Sequence, residues 1–304
     1  MPGARLSTIE TEETASDSRH PRGRLRRGMY ILPSFFTSIN IAAGFYAITE
    51  SLQGSAMEPW HFNRAALAIG FAIPFDAIDG RVARMTKTAS DFGKELDSLA
   101  DVITFGVAPS ILAYAWGFRA LPTAMDAVLR QKLVELGAFV CFLFLICGAS
   151  RLARFNISVN PQPRNPGREG RKYFVGMPIP AAAGVVAAVV HFAGGDPIDR
   201  TWQAFGWMAL VALTGFLMVS TWRFWSGKEI NLADRKPFRA IVLIGMFVAL
   251  VALFSQWALL TCAFVYLFSG IFARLAYSWP RRHAATPASD SAGSMPKGPG
   301  GATS

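Results

Sequence analysis

Asp76-Ala-Ile-Asp79-Gly80-Arg-Val-Ala83-Arg84, eight further residues, and then Gly93-Lys-Glu-Leu-Asp97-Ser-Leu-Ala-Asp101 set four carboxylates at helical spacing between long apolar runs. A carboxylate placed in the middle of a membrane helix costs roughly 2.5 to 3.5 kcal/mol on insertion scales, so four without compensation would cost on the order of 10 kcal/mol. The arrangement therefore requires cations among the acids.

The surroundings are those of a membrane protein. Hydrophobic residues make up 52% of the 304-residue chain and charged residues 16%, and the mean hydropathy is +0.32, a balance that soluble domains rarely show. A helix rising about 1.5 Å per residue needs about 20 apolar residues to cross a bilayer core. On that criterion the fold class is all-α, a polytopic transmembrane bundle of about eight spans, near 31–50, 62–80, 96–117, 133–150, 178–195, 203–221, 240–254 and 256–275. The last two are separated by a short turn near Ser255-Gln256.

Basic residues give the orientation, because Lys and Arg collect in cytoplasmic loops. With the N-terminus inside, the inner segments receive Arg19 to Arg27, Arg81 to Lys94, Arg151 to Lys172, Arg223 to Arg239, and Arg274 to Arg282. The outside keeps Arg64, Arg119, Arg130, Lys132 and Arg200. The expected location is the cell (inner, cytoplasmic) membrane, with both termini and the acidic cluster on the cytoplasmic side. The net charge of +10 is then mostly topology. Its spread over five loops, without a single stripe, argues against a nucleic-acid partner.

Residues 1–28 and 283–304 are polar, Gly/Pro-containing and without apolar periodicity, and are expected to be disordered tails flanking a membrane domain at 29–282. The first span is full length and holds polar residues, so it reads as an uncleaved anchor. Cys141, Cys147 and Cys262 all fall inside spans, and His20, His61, His191 and His283 share no helix face. Oxygen ligands remain, and they suit Mg²⁺ or Mn²⁺. Two such ions would neutralise four aspartates.

Residues three and four apart share a helix face. Asp76, Asp79, Gly80 and Ala83 thus form one stripe, and Gly93, Asp97 and Asp101 another. Gly80 and Ala83 leave room for a ligand beside the carboxylates, and Arg84 is placed to reach a phosphate oxygen as a forked donor. Any one of these pairs alone would suit a helix cap or an ion pair with Arg81, Arg84 or Lys94. A purely structural network would not also demand small residues between the acids.

The pattern Asp-x-x-Asp-Gly-x-x-Ala-Arg, eight residues, Gly-x-x-x-Asp-x-x-x-Asp resembles the CDP-alcohol phosphatidyltransferases at every fixed position. The resemblance implies a bundle whose first six helices form the catalytic core, acting on a CDP-linked lipid with a divalent metal pair. By it, Asp76, Asp79, Asp97 and Asp101 are metal ligands, Asp101 is also the general base, and Gly80, Arg84 and Ser90 hold the cytidine and diphosphate. A homodimer is likewise expected from the resemblance.

Three further stretches resemble the serine-using, membrane-embedded branch of that family: Asp97 to Ser110, Arg151-Leu-Ala-Arg154-Phe-Asn156, and Phe174-Val-Gly-Met-Pro-Ile-Pro180. The expected partners are CDP-diacylglycerol, L-serine and the bilayer, and the expected products phosphatidylserine and CMP. Glycerol 3-phosphate or an inositol phosphate is the alternative acceptor. These phosphorylated alcohols would favour additional cationic ligands, whereas serine asks for a carboxylate fork and an ammonium acceptor.

In the first span, Asn40 and Thr37 suit either contact with the cytosine or diphosphate end or a plain helix–helix hydrogen bond. Arg151, Arg154, Asn156 and, more weakly, Lys172 suit either the serine carboxylate or the basic rim of an inner loop. Gly176-Met-Pro178-Ile-Pro180 opens the fifth span, where proline in the first turn fixes an entry angle. Two other classes fit less well. Aspartate-dependent membrane prenyltransferases keep their two acidic motifs far apart, and a cation transporter would show corresponding interrupted helices in two halves, for which residues 133–280 offer no second acidic segment.

Overall fold

The computed structural model describes residues 22–86, 91–157, 173–225 and 255–283, some stretches at backbone level only, among them 79–86. The protein is mostly α-helical. Helix α1 spans Arg22–Gln53 and α2 spans Trp60–Thr86. The third rod is continuous from α3 (Asp91–Asp101) through a π-helical segment Val102–Val107, α4 (Ala108–Tyr114) and a second π-helical turn Ala115–Arg119. Then come α5 (Ala127–Ile157), β1 (Tyr173–Val175), α6 (Ile179–Phe192), α7 (Thr201–Val219), β2 (Arg223–Trp225) and α8 (Ser255–His283).

Among the described residues, four helical stretches are long and apolar enough to cross a membrane, namely Phe92–Arg119, Ala127–Ile157, Thr201–Val219 and Ser255–Phe272, and Ile179–Phe192 is a shorter apolar helix. The protein is integral to the membrane. Large apolar side chains such as Leu136, Phe139, Phe142 and Ile146 on α5 face outward, as a lipid-facing surface requires. One expected boundary is adjusted. Helix α1 begins at Arg22, so residues 22–28, assigned to the N-terminal tail, form its first turns. The expected span at 240–254 lies outside the described residues.

Lipid offers no hydrophobic drive to bring helices together, so membrane bundles pack through small residues that admit a neighbour closely. That is the composition of this core: Ala65, Ala66, Ile69 and Ala72 of α2 and Ala182, Ala183, Val185 and Val186 of α6 are all buried. Glycines mark the closest approaches. A Cβ on Gly44 would sit 2.7 Å from Thr104 Oγ1 and 2.9 Å from its Cα, and one on Gly117 would collide with the Trp207 ring.

The two ends of the bundle are tied differently. At one end Arg119 donates from Nη2 to the carbonyls of Ser51, Leu52 and Gly54, satisfying the last turn of α1. Here too His191 of α6 bonds through Nδ1 to Asn63 Oδ1 at 2.6 Å and through Nε2 to Ser255 Oγ at 3.0 Å. An amide oxygen only accepts, so Nδ1 carries the proton and Nε2 accepts from the serine. This staple fixes the start of α8 against α2 and α6.

At the other end β1 and β2 form a short antiparallel ribbon, with Phe174 opposite Phe224, an element that the all-helical expectation did not include. Gly176 turns the chain from β1 into α6 at φ +75°, and a Cβ there would lie 2.6 Å from the Met218 carbonyl oxygen and 2.8 Å from that of Ser220. Its N–H donates to Trp222 O at 2.7 Å. Gly176→Ala is therefore expected to destabilise the fold by about 1–3 kcal/mol, the usual scale for forced backbone strain. A thermal melt in detergent measures this, and an unchanged melting temperature would remove the steric role assigned to the glycine.

Candidate active site

Asp76 lies in the interior of α2, two residues after Pro74, and Asp97 and Asp101 lie one turn apart on α3. Asp76, Asp97 and Asp101 each offer a carboxylate oxygen, and these atoms lie within 4.8 Å of one another. Like charges about 4 Å apart repel by roughly 4 kcal/mol at an effective dielectric of ~20. Only a proton or a cation among them relieves that repulsion. Asp101 Oδ1 is buried and has no hydrogen-bond partner among the described residues, which suits a ligating oxygen. The cluster can coordinate one divalent ion.

The backbone changes character at this point. Asp101 is the last residue of α3 and the π-helical segment begins at Val102, a local widening that is frequent at functional sites. Within it, Thr104 donates from Oγ1 to the Asn40 carbonyl oxygen at 2.9 Å, so α1 is pinned beside the aspartates where Gly44 permits the approach. Thr37 and Asn40 are both buried. The Asn40 side-chain Oδ1 has no hydrogen-bond partner among the described residues.

A second polar group, half-buried, stands near Asp101 on α5. Arg151 interacts electrostatically with Asp101, and its Nε is buried without a hydrogen-bond partner among the described residues. The structure separates it from the other basic-motif residues. Arg154 donates from Nη2 to the Val219 carbonyl oxygen at 3.1 Å, tying α5 to the end of α7. Asn156 donates from Nδ2 to Ser98 Oγ at 2.9 Å, tying α5 to α3. Asp79, Gly80, Ala83 and Arg84 lie on α2, but their side chains fall outside the described residues, as do Ser90 and Lys172 altogether.

Residues that sequence reasoning passed over are Thr104, whose partner is a backbone carbonyl of another helix, and Tyr266 on α8, which interacts electrostatically with Arg151. Neither has a local signal. The π-helical turn is equally silent in the sequence.

An integral-membrane helical bundle with convergent carboxylates, a half-buried arginine and polar atoms without partners among the described residues is the class that fold and site define, a membrane enzyme fit to handle an anionic ligand with a divalent ion. Residues 30–214 match the CDP-alcohol phosphatidyltransferase family, and the chain belongs to it. It is 34% identical over 249 residues to the CDP-diacylglycerol–serine O-phosphatidyltransferase of Helicobacter pylori (strain ATCC 700392 / 26695), covering 80% of this chain and 90% of that one. It is 33% identical over 191 residues to the enzyme of the same name from Saccharomyces cerevisiae, covering 62% of this chain and 63% of that one. It is also 36% identical over 159 residues to the archaetidylserine synthase of Methanothermobacter thermautotrophicus, covering 52% of this chain and 56% of that one.

Proposed function

We propose that this protein transfers the phosphatidyl group of CDP-diacylglycerol to the hydroxyl of L-serine, giving phosphatidylserine and CMP. One observation carries the reading: three family-motif carboxylates converge within 4.8 Å, with the half-buried Arg151 near them. The serine-transferring relatives support the choice of acceptor.

The serine hydroxyl oxygen attacks the phosphorus that bears the diacylglycerol. A new P–O bond forms to serine as the bond to the CMP oxygen breaks, and the hydroxyl proton passes to Asp101. A general base needs reach to that proton more than an unusual acidity. Asp76, Asp79, Asp97 and Asp101 would hold divalent ions, Mg²⁺ or Mn²⁺ and two in number, supplying charge stabilisation at the attacking and leaving oxygens. Arg84 offsets the diphosphate charge, and Asn40, Thr37, Gly80, Ala83 and Ser90 line the CDP-lipid. Arg151 pairs with the serine carboxylate as a planar fork, the geometry arginine supplies best. Arg154 and Asn156 hold α5 in place for it, and Lys172 extends the same basic rim.

The remaining features follow the same reading. The first six spans form the catalytic core within an eight-span bundle at 29–282, preceded by a tail at 1–28 whose last residues already run into α1 and followed by one at 283–304. The termini and the site face the cytoplasm, where soluble serine and the lipid headgroup meet, and the enzyme works as a homodimer.

The test is CMP release by purified protein given CDP-diacylglycerol, Mg²⁺ or Mn²⁺, and a panel of alcohols. Serine-dependent release is expected, with glycerol 3-phosphate and inositol phosphate inactive. Release with glycerol 3-phosphate but not serine would overturn the acceptor alone. No release with any alcohol would overturn the transferase.

A further inference from the structure

Ser51, Ser110 and Thr214 are buried, and each donates its hydroxyl to the carbonyl four residues earlier on its own helical rod, the usual back-bond of a helical serine or threonine. Thr104, which is fully buried, does otherwise. Its Oγ1 crosses to α1 and donates to the Asn40 carbonyl oxygen at 2.9 Å. A backbone carbonyl has two lone pairs, so α1 can accept this bond without giving up its own ladder.

Helix α1 is thereby fastened to the third rod at two levels. Arg119, which ends the rod, grips the carbonyls of Ser51, Leu52 and Gly54. Thr104 grips the turn of Asn40 from within the π-helical segment that begins directly after Asp101. Gly44 makes the second clamp possible, since a Cβ there would lie 2.7 Å from Thr104 Oγ1. The clamp also meets a residue with a polar atom to spare: the Asn40 side-chain Oδ1 is buried and has no hydrogen-bond partner among the described residues. Holding the Asn40 carbonyl holds the Cα beside it, and so the point from which that side chain departs.

We infer that Thr104 is a positioning residue, whose bond to Asn40 sets the spacing between the turn of α1 that receives the CDP-lipid and the aspartates of α3 that act on its diphosphate. This rests on the placement of Asn40 at the CDP-lipid made above. Serine, assigned to Arg151 of α5, is held by a helix that this bond does not touch.

The test removes the hydroxyl in two ways, by Thr104→Val, which keeps the volume, and by Thr104→Ala, which relieves the contact with α1. In both, equilibrium binding of CDP-diacylglycerol is expected to weaken about tenfold, the scale of one lost hydrogen bond, and kcat/KM for it to fall at least as far, while KM for serine stays within about twofold. Thr104→Ser, which returns the hydroxyl, should recover most of the lost affinity. Arg119→Met loosens the other clamp, and is expected to lower the melting temperature in detergent with CDP-diacylglycerol binding unchanged. Unchanged binding in the hydroxyl-free variants, a parallel rise in the serine KM, no recovery in Thr104→Ser, or the same loss of binding in Arg119→Met would each overturn the inference. If the unaltered protein binds CDP-diacylglycerol but releases CMP only with another alcohol, or with none, the reading of the reaction fails while the binding comparison still decides the role of Thr104.

Discussion

Asp101→Asn is expected to lower kcat by about a thousandfold or more while CDP-diacylglycerol still binds within a few-fold of its original affinity. The amide has the shape of the carboxylate, so packing around the junction of α3 and the π-helical segment is preserved. Its removal of a charge also eases the repulsion among Asp76, Asp97 and Asp101, whose ligand oxygens lie within 4.8 Å. What the variant loses is the ability to take the alcohol's proton, and general-base removal alone typically costs 10²–10⁴-fold. Parallel single-turnover CMP release and equilibrium binding of the CDP-lipid separate the two effects. Binding lost together with turnover would leave Asp101 as a metal ligand only, and retention of more than a tenth of the activity would remove it from the chemistry altogether.

The second large effect concerns the divalent ion. Chelation of Mg²⁺ and Mn²⁺ is expected to abolish CMP release, and restoring either ion in excess should recover it. Because the carboxylates repel one another when the site is empty, ion binding must also stabilise the fold. An ion at a hundred times its dissociation constant contributes about 2.7 kcal/mol, visible as a raised melting temperature in detergent. Asp97→Asn and Asp76→Asn should each blunt that thermal shift as well as the activity, since each replaces one of the converging anionic ligands with a neutral amide. A melting temperature indifferent to the ion in the unaltered protein, or activity that survives chelation, would remove the metal from the site.

Much of this site is legible in the amino-acid sequence. The acids stand out because charge is rare in apolar segments, and their spacing of three and four residues places them on faces of adjacent helices. The distinction between Arg151 and Arg154 is not legible there. They are three residues apart, share a face of α5 and have the same chemistry. Arg154 is committed to the Val219 carbonyl, and Arg151 to the electrostatic company of Asp101 and Tyr266. Asn156 shows the same limit, since its partner, Ser98 of α3, is distant in sequence. The β1–β2 ribbon is also invisible at that level, because three-residue strands carry too little alternation to register as a pattern.

The sequence by itself determined that the chain enters the membrane, where its acids lie and which family it belongs to. Each of these is a property of a local segment: insertion is decided by the apolar content of about 20 residues at a time, and the motif occupies two helices that follow each other closely in sequence. Only the tertiary structure decided that Asp76 meets Asp97 and Asp101, that Thr104 fastens α1 beside them, and that Asn156 of α5 bonds to Ser98 of α3. The reason is physical. Helices that already satisfy their own backbones in lipid are sorted against one another by close packing at sites such as Gly44 and Gly117, and such steric fits leave no trace in hydropathy.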